Sequence, residues 1–451
     1  MPVLALRRFA RTPMQIAVRV TLAAALIAVA LAALATAAQA APLTFTVNST
    51  ADPGTGICDV TECTLREALL AANANTGADT IAFNLDQTLF PPHVIAPASA
   101  LPAVTEAVTI DGSTQPDYFH EPAVQIDGTN AGVSTSGLSL GASSVVKALA
   151  IDGFSGSGIA LTGGSSTIRG TWIGLTTANA GAGIAIGVGA PNNTIGGTGP
   201  DDPDSIAQSG GAGIAISSSG NTIQATEIGT GGANGGAGVS ITTGSNNVVG
   251  GTTAGAGNTI QNNTGAGVAI TAGTGNAVEG NVIDSNGGLG IDLGTTGVTA
   301  NDHLDPDTGP NNLQNFPVLT TASNDSLAGT STVTGTLDSA AATAYHIEFF
   351  ASSACDPSGN GEAPELVASA DVTTNGSGAG TLNSTFPTGS GNIYTATATD
   401  PAGNTSELSS CVAAPPRLTV DKAGNGTGTV ASTPAGINCG ATCSADYPLN
   451  T

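Results

Sequence analysis

Short apolar pairs set behind glycines recur through the middle of the chain. Ile159 and Leu161 follow Gly156-Ser157-Gly158, and the arrangement returns at Ile184, Ile214, Val239, Val268 and Ile291, at intervals of 23 to 30 residues. Successive side chains of a strand point to opposite sides, so two apolar residues two apart mark a short strand with one buried face. A period of this size predicts a solenoid, in which each coil buries its apolar face against its neighbours.

Within each coil a second short strand follows, as at Asn193-Thr194-Ile195, Asn221-Thr222-Ile223, Asn247-Val248-Val249 and Asn276-Ala277-Val278. A third is present at Trp172-Ile173, Glu227-Ile228, Asn258-Thr259-Ile260 and Asn281-Val282-Ile283. Three strands and three corners per coil describe a parallel β-helix. The asparagines that precede the strands suit corners, where they tolerate left-handed backbone and can stack along the solenoid. Eight or nine rungs spaced ~4.8 Å apart make a rod of roughly 40 Å. Earlier rungs are marked by Ile110-Asp111-Gly112, Ile126-Asp127-Gly128 and Ile151-Asp152-Gly153, read as corners where the aspartate bonds turn amides and the glycine takes positive φ.

Upstream, Leu43 to Val47 alternates as a strand, and Thr64 and Glu67 have capping-box spacing. Leu65, Ala68, Leu69 and Ala72 then form one apolar stripe, so a helix should run from Thr64 to about Asn75 and cover the open end of the solenoid. The hexapeptide Cys63-Thr64-Leu65-Arg66-Glu67-Ala68 resembles the CSLREA signature of exported bacterial proteins with right-handed parallel β-helix repeats, with threonine in place of serine. Cys58-Asp59, Ala72-Asn73 and Asp79-Thr80-Ile81-Ala82-Phe83 extend the likeness. It implies an architecture and carries no catalytic residues.

From Val318 the pattern changes to longer alternating strands, including Val333 to Leu337, Tyr345 to Phe349 and Ile393 to Thr399, which suggests a β-sandwich. The stretch from Thr397 to Glu407, with Asp400-Pro401-Ala402-Gly403-Asn404 as its turn, resembles bacterial immunoglobulin-like domains. Leu418-Thr419-Val420 through Cys439-Gly440-Ala441-Thr442-Cys443 resembles the start of an internalin-B-type repeat. The expected division is therefore a signal peptide (1–40), a CSLREA-type cap with the first strands (41–104), an all-β right-handed parallel β-helix (105–300), a linker (301–316), an immunoglobulin-like sandwich (317–414) and a partial internalin-B-type repeat (415–451).

The leader reading rests on arginines up to Arg19, an apolar run from Leu22 to about Leu34 and the small-x-small site Ala38-Gln39-Ala40. After cleavage, 33 acidic residues face five basic ones, a net charge of −28. Such a surface repels nucleic acid and polyanionic glycans. No later stretch is long and apolar enough to span a bilayer. The six cysteines fall into near pairs, Cys58 with Cys63, Cys355 with Cys411 and Cys439 with Cys443, and an exported chain should oxidise them.

Candidate chemistry is sparse. Many β-helix proteins cleave acidic glycans, and a lyase needs a basic residue to take a proton, usually with calcium. The solenoid offers Lys147 and Arg169, and Arg169 with Trp172, both read as outward, is the best ligand-binding constellation. His93, His120, His303 and His346 do not sit in a polygalacturonase-type Gly-His-Gly setting. Asp302, Asp305 and Asp307 crowd the linker and could hold calcium; no other cofactor is implied. The resulting expectation is a non-catalytic secreted or cell-surface scaffold, adhesin-like, binding an extracellular glycan or a surface protein. The alternative is a polysaccharide lyase or glycoside hydrolase.

Overall fold

The computed structural model describes residues 41–447 apart from 89, 326–327, 416, 422, 424–426 and 440–442. The leader expected at 1–40 lies outside the described residues, and no helix within them is long and apolar enough to cross a membrane. Their only α-helix, Leu65–Ala74 (α1), begins on the expected capping box. Thr64 accepts from the Glu67 amide at 3.2 Å, and the Glu67 carboxylate accepts from the Thr64 amide at 2.8 Å. Leu65, Ala68, Leu69 and Ala72 are buried and join the solenoid core. Arg66 ties the helix to its surroundings through Asp52 (2.6 Å) and the Ser99 and Ala100 carbonyls.

Three parallel sheets follow, winding as a β-helix. Among the described residues, sheet 1 holds nine strands, sheet 2 eight and sheet 3 seven. The repeat that announced the solenoid is sheet 3: Ile159, Ile184, Ile214, Val239, Val268 and Ile291 stand in one register column. All six are buried. Sheet 1 carries the strands after Asn193, Asn221, Asn247 and Asn276, and sheet 2 those at Trp172, Glu227, Thr259 and Val282. Sheet 2 also contains Ser205–Ile206, which the apolar pattern did not single out.

The second glycine of each sheet 3 motif faces an isoleucine of sheet 2. A Cβ on Gly158, Gly183, Gly213 or Gly238 would come within 2.3 to 2.5 Å of the Cγ2 of Ile173, Ile206, Ile228 or Ile260. Close approach across the core, not left-handed backbone, keeps these positions glycine. The early corners correct the sequence reading in the same sense. Only Gly153 has positive φ; Gly112 and Gly128 open 3-10 turns capped by Asp111 and Asp127, and lie against Ala148 and Phe154.

Side-chain ladders run along the corners. Asn193, Asn221, Asn247 and Asn276 each accept, through Oδ1, the backbone N–H of the ladder residue one coil earlier. Asn258 and Asn281 do the same before sheet 2, and Asn234 and Asn286 before sheet 3, where Asn263 instead accepts the side-chain amide of Asn234. Buried polar groups must be paired, and one amide per coil meets that requirement at each corner.

The far end of the solenoid is closed by the antiparallel sandwich, a three-stranded and a four-stranded sheet enclosing Val333, Ile347, Phe349, Leu382 and Tyr394. Phe350, Ala363 and Leu408 extend from it into the solenoid core. Ala363 and Ile283 exchange backbone hydrogen bonds at 2.8 Å. Three sandwich glutamates take over from the ladders. Glu348 accepts the Gly280 N–H at 3.0 Å, Glu362 those of Ser285 (2.8 Å) and Asn286 (3.1 Å), and Glu407 those of Leu293 (3.0 Å) and Thr299 (2.9 Å). The connection 301–316, expected as a linker, packs into this joint, with Asn311, Gln314 and Asn315 buried. Asn311 ends the sheet 1 ladder by accepting from the Asn276 amide at 3.0 Å. All three cysteine pairs are disulfide-bonded, and a two-stranded ribbon of 417–419 and 444–446 forms the described tail.

Candidate functional site: a groove at Trp172

On sheet 2 the outward column reads Val94, Gln125, Ala150, Trp172 and Ser205. Ala150 is small, so the indole of Trp172 stands beside a depression instead of a neighbouring side chain. Residues 112–123, between a sheet 1 strand and a sheet 2 strand, rise over this depression and form its wall. The loop is anchored from below: Gln115 accepts from the Leu85 amide at 2.8 Å, and Asp117 pairs with buried His93 at 2.8 Å. Burial opposes the Asp117 charge, but hydrogen bonds from His93 and Gln115 outweigh it and hold the carboxyl below the usual range. The result is a groove of about 630 Å³ walled by Pro91, Pro92, Phe119 and Pro122, with Asp117, His120, Glu121, Gln125 and Trp172 as its functional groups. Phe119 is 81% exposed.

A second loop, 196–204, buttresses the first. Asp201 pairs with His120. Asp204, fully buried, accepts from the Thr171 amide and hydroxyl, both at 2.7 Å; burial pushes its pKa up to about 7. Asp202 pairs with Arg169 at 3.1 Å.

The sequence-level constellation is therefore divided. Trp172 is outward and lines the groove, whereas Arg169 and Lys147 are register neighbours on sheet 1, around the corner. Both are engaged, Arg169 by Asp202 and Lys147 by Asp111 at 3.7 Å. Sequence reasoning missed the partners of Trp172. The signal was present in Gln115-Pro116-Asp117-Tyr118-Phe119-His120-Glu121-Pro122, where aromatic and acidic residues concentrate between prolines in a chain only 3% aromatic.

At the joint, Asp302, Asp305 and Asp307 bring one carboxylate oxygen each within 4.8 Å of one another. The Oδ1 atoms of all three are buried without a hydrogen-bond partner. Burial raises the pKa of Asp305 and Asp307, and the neighbouring carboxylates add to the effect.

A family model described as the right handed beta helix region matches residues 136–302, in agreement with the three stacked parallel sheets. Among solved structures, full-length tailspike protein 2 (TSP2, ORF211) from Escherichia coli O157:H7 bacteriophage CAB120 aligns at 11% identity and a TM-score of 0.29. The alignment covers 75% of this chain and 58% of the tailspike, so this chain spans under two thirds of that protein's length. No curated protein matches the chain.

Proposed function

We propose that this protein is an exported, non-catalytic β-helix scaffold that binds an extracellular glycan in the groove at Trp172. One observation carries the reading: an aromatic platform stands beside an open, largely apolar groove with hydrogen-bonding groups along it. Binding sites for small molecules and sugars are concave and largely apolar with a few placed polar groups, and an indole face suits a pyranose ring. The CSLREA-type resemblance and the disulfides support an exported, surface-associated life. A lyase or hydrolase has less support, because Lys147 and Arg169 are ion-paired on another face and Asp117 is held ionised by His93.

The three-aspartate cluster fits a structural calcium ion. Oxygen ligands at 2.3–2.6 Å place donor atoms up to ~5 Å apart, and a cation would give three orphaned oxygens a partner.

A glycan array probed with the mature chain, alongside assays for reducing and unsaturated ends with and without calcium, tests this function. The expected result is binding without turnover that Trp172→Ala abolishes. Turnover of any glycan, or binding indifferent to Trp172→Ala, overturns it.

A further inference from the structure

The geometry points to a glycan without acid groups, a chain of neutral or amino-bearing pyranoses, as the ligand of the Trp172 groove. This inference rests on the glycan-binding reading and narrows it. Among the described residues lining the groove there is no Lys or Arg, while Asp117 and Glu121 both contribute carboxylates. His120 is committed to Asp201, which adds a third acid to the rim. The two solenoid cations that could greet a uronate are paired around the corner. A polyuronate entering this groove would therefore set its charges against those of Asp117 and Glu121, with no Lys or Arg in the lining to offset them. Neutral sugars present hydroxyl donors to the same carboxylates and a C–H face to the indole. Amino sugars add an ammonium, which both the carboxylates and the ring face attract.

The chain supplies its own reporter, since Trp172 is its sole tryptophan. Tryptophan emission of the full mature protein can be followed while it is titrated with three hexamers of similar shape: N-acetylglucosamine, glucosamine and galacturonate. At low salt, the first two should shift the emission and the galacturonate hexamer should bind at least about tenfold more weakly. Molar salt should narrow that gap, because screening shortens to about 3 Å. Glu121 is exposed, so Glu121→Gln should leave the fold intact and reduce the advantage of glucosamine over N-acetylglucosamine several-fold. Galacturonate binding as tightly as the neutral hexamer, or a preference unmoved by Glu121→Gln, overturns the inference while leaving a glycan site standing. No response to any hexamer, together with an empty glycan array, overturns both.

Discussion

Asn286 donates its backbone N–H to Glu362 at 3.1 Å, just as Asn263, one coil earlier, donates to the side chain of Asn286 at 3.1 Å. A carboxylate from another part of the chain thus occupies the place that the next coil would fill. Glu348 and Glu407 do the same at other points around the last coil. The sandwich is in this respect a lid for the solenoid.

Removing Glu407 leaves the amides of Leu293 and Thr299 without their acceptor, which costs about 1–3 kcal/mol for each group left buried and unsatisfied. Glu407→Ala should lower the melting temperature by several degrees and raise hydrogen exchange first at Leu293 and Thr299. Thermal unfolding with exchange mass spectrometry checks both.

The lid also titrates. Burial pushes Glu348 up to about 7, with Glu279 opposing its charge and His346 favouring it. Burial raises Glu362 too, aided by the Asp284 carboxyl, and raises Glu407, which faces Asp292. Folded pKa values above the unfolded ones mean the native state holds more protons between about pH 4.5 and 7. Stability from these groups is complete below that window and is lost as pH rises through 7. Calcium-free melts should therefore show a higher midpoint at about pH 5.5, inside the window, than at about pH 8, above it, and Glu348→Gln should flatten the difference. A midpoint that climbs with pH would contradict the sign.

Gly213→Ala tests the close packing behind the repeat. The new methyl meets Ile228 at 2.5 Å with no backbone strain to confuse the result. Overpacking of this kind costs about 1–3 kcal/mol. Gly376→Ala, where nothing lies within 4 Å, should be near neutral by the same denaturant titration.

Calcium should raise the melting temperature if the ion joins Asp302, Asp305 and Asp307. At a hundred times Kd the stabilisation is about 2.7 kcal/mol. Asp307→Asn should remove most of the response, and a wild-type melt unmoved by millimolar calcium would end the assignment.

The solenoid was legible because its periodicity is local: each strand carries its own inward isoleucine, and α1 carries its own capping box. The asparagines before sheets 1 and 2 stood out for the same reason. The lid was not legible, since Glu348, Glu362 and Glu407 lie 68 to 114 residues from the amides they receive. Nothing near them in the chain marks them as buried. Of the groove, Trp172 was visible as a rare aromatic on an outward position. Its companions Phe119 and Glu121 reach it from a loop some fifty residues earlier, and Arg169 was separated from it by a corner that proximity in sequence concealed.

The corner ladders bear on heredity as well as stability. From Asn193 to Asn276 the sheet 1 corner repeats one arrangement, each asparagine side chain accepting the N–H of the ladder residue one coil earlier, so an in-frame duplication or loss of one such coil leaves that corner seated on both sides. A single recombination event can therefore lengthen or shorten the rod and shift the groove relative to the sandwich. Selection can then set that distance in whole coils, while the lid glutamates and the Thr64 cap remain under their own separate constraint.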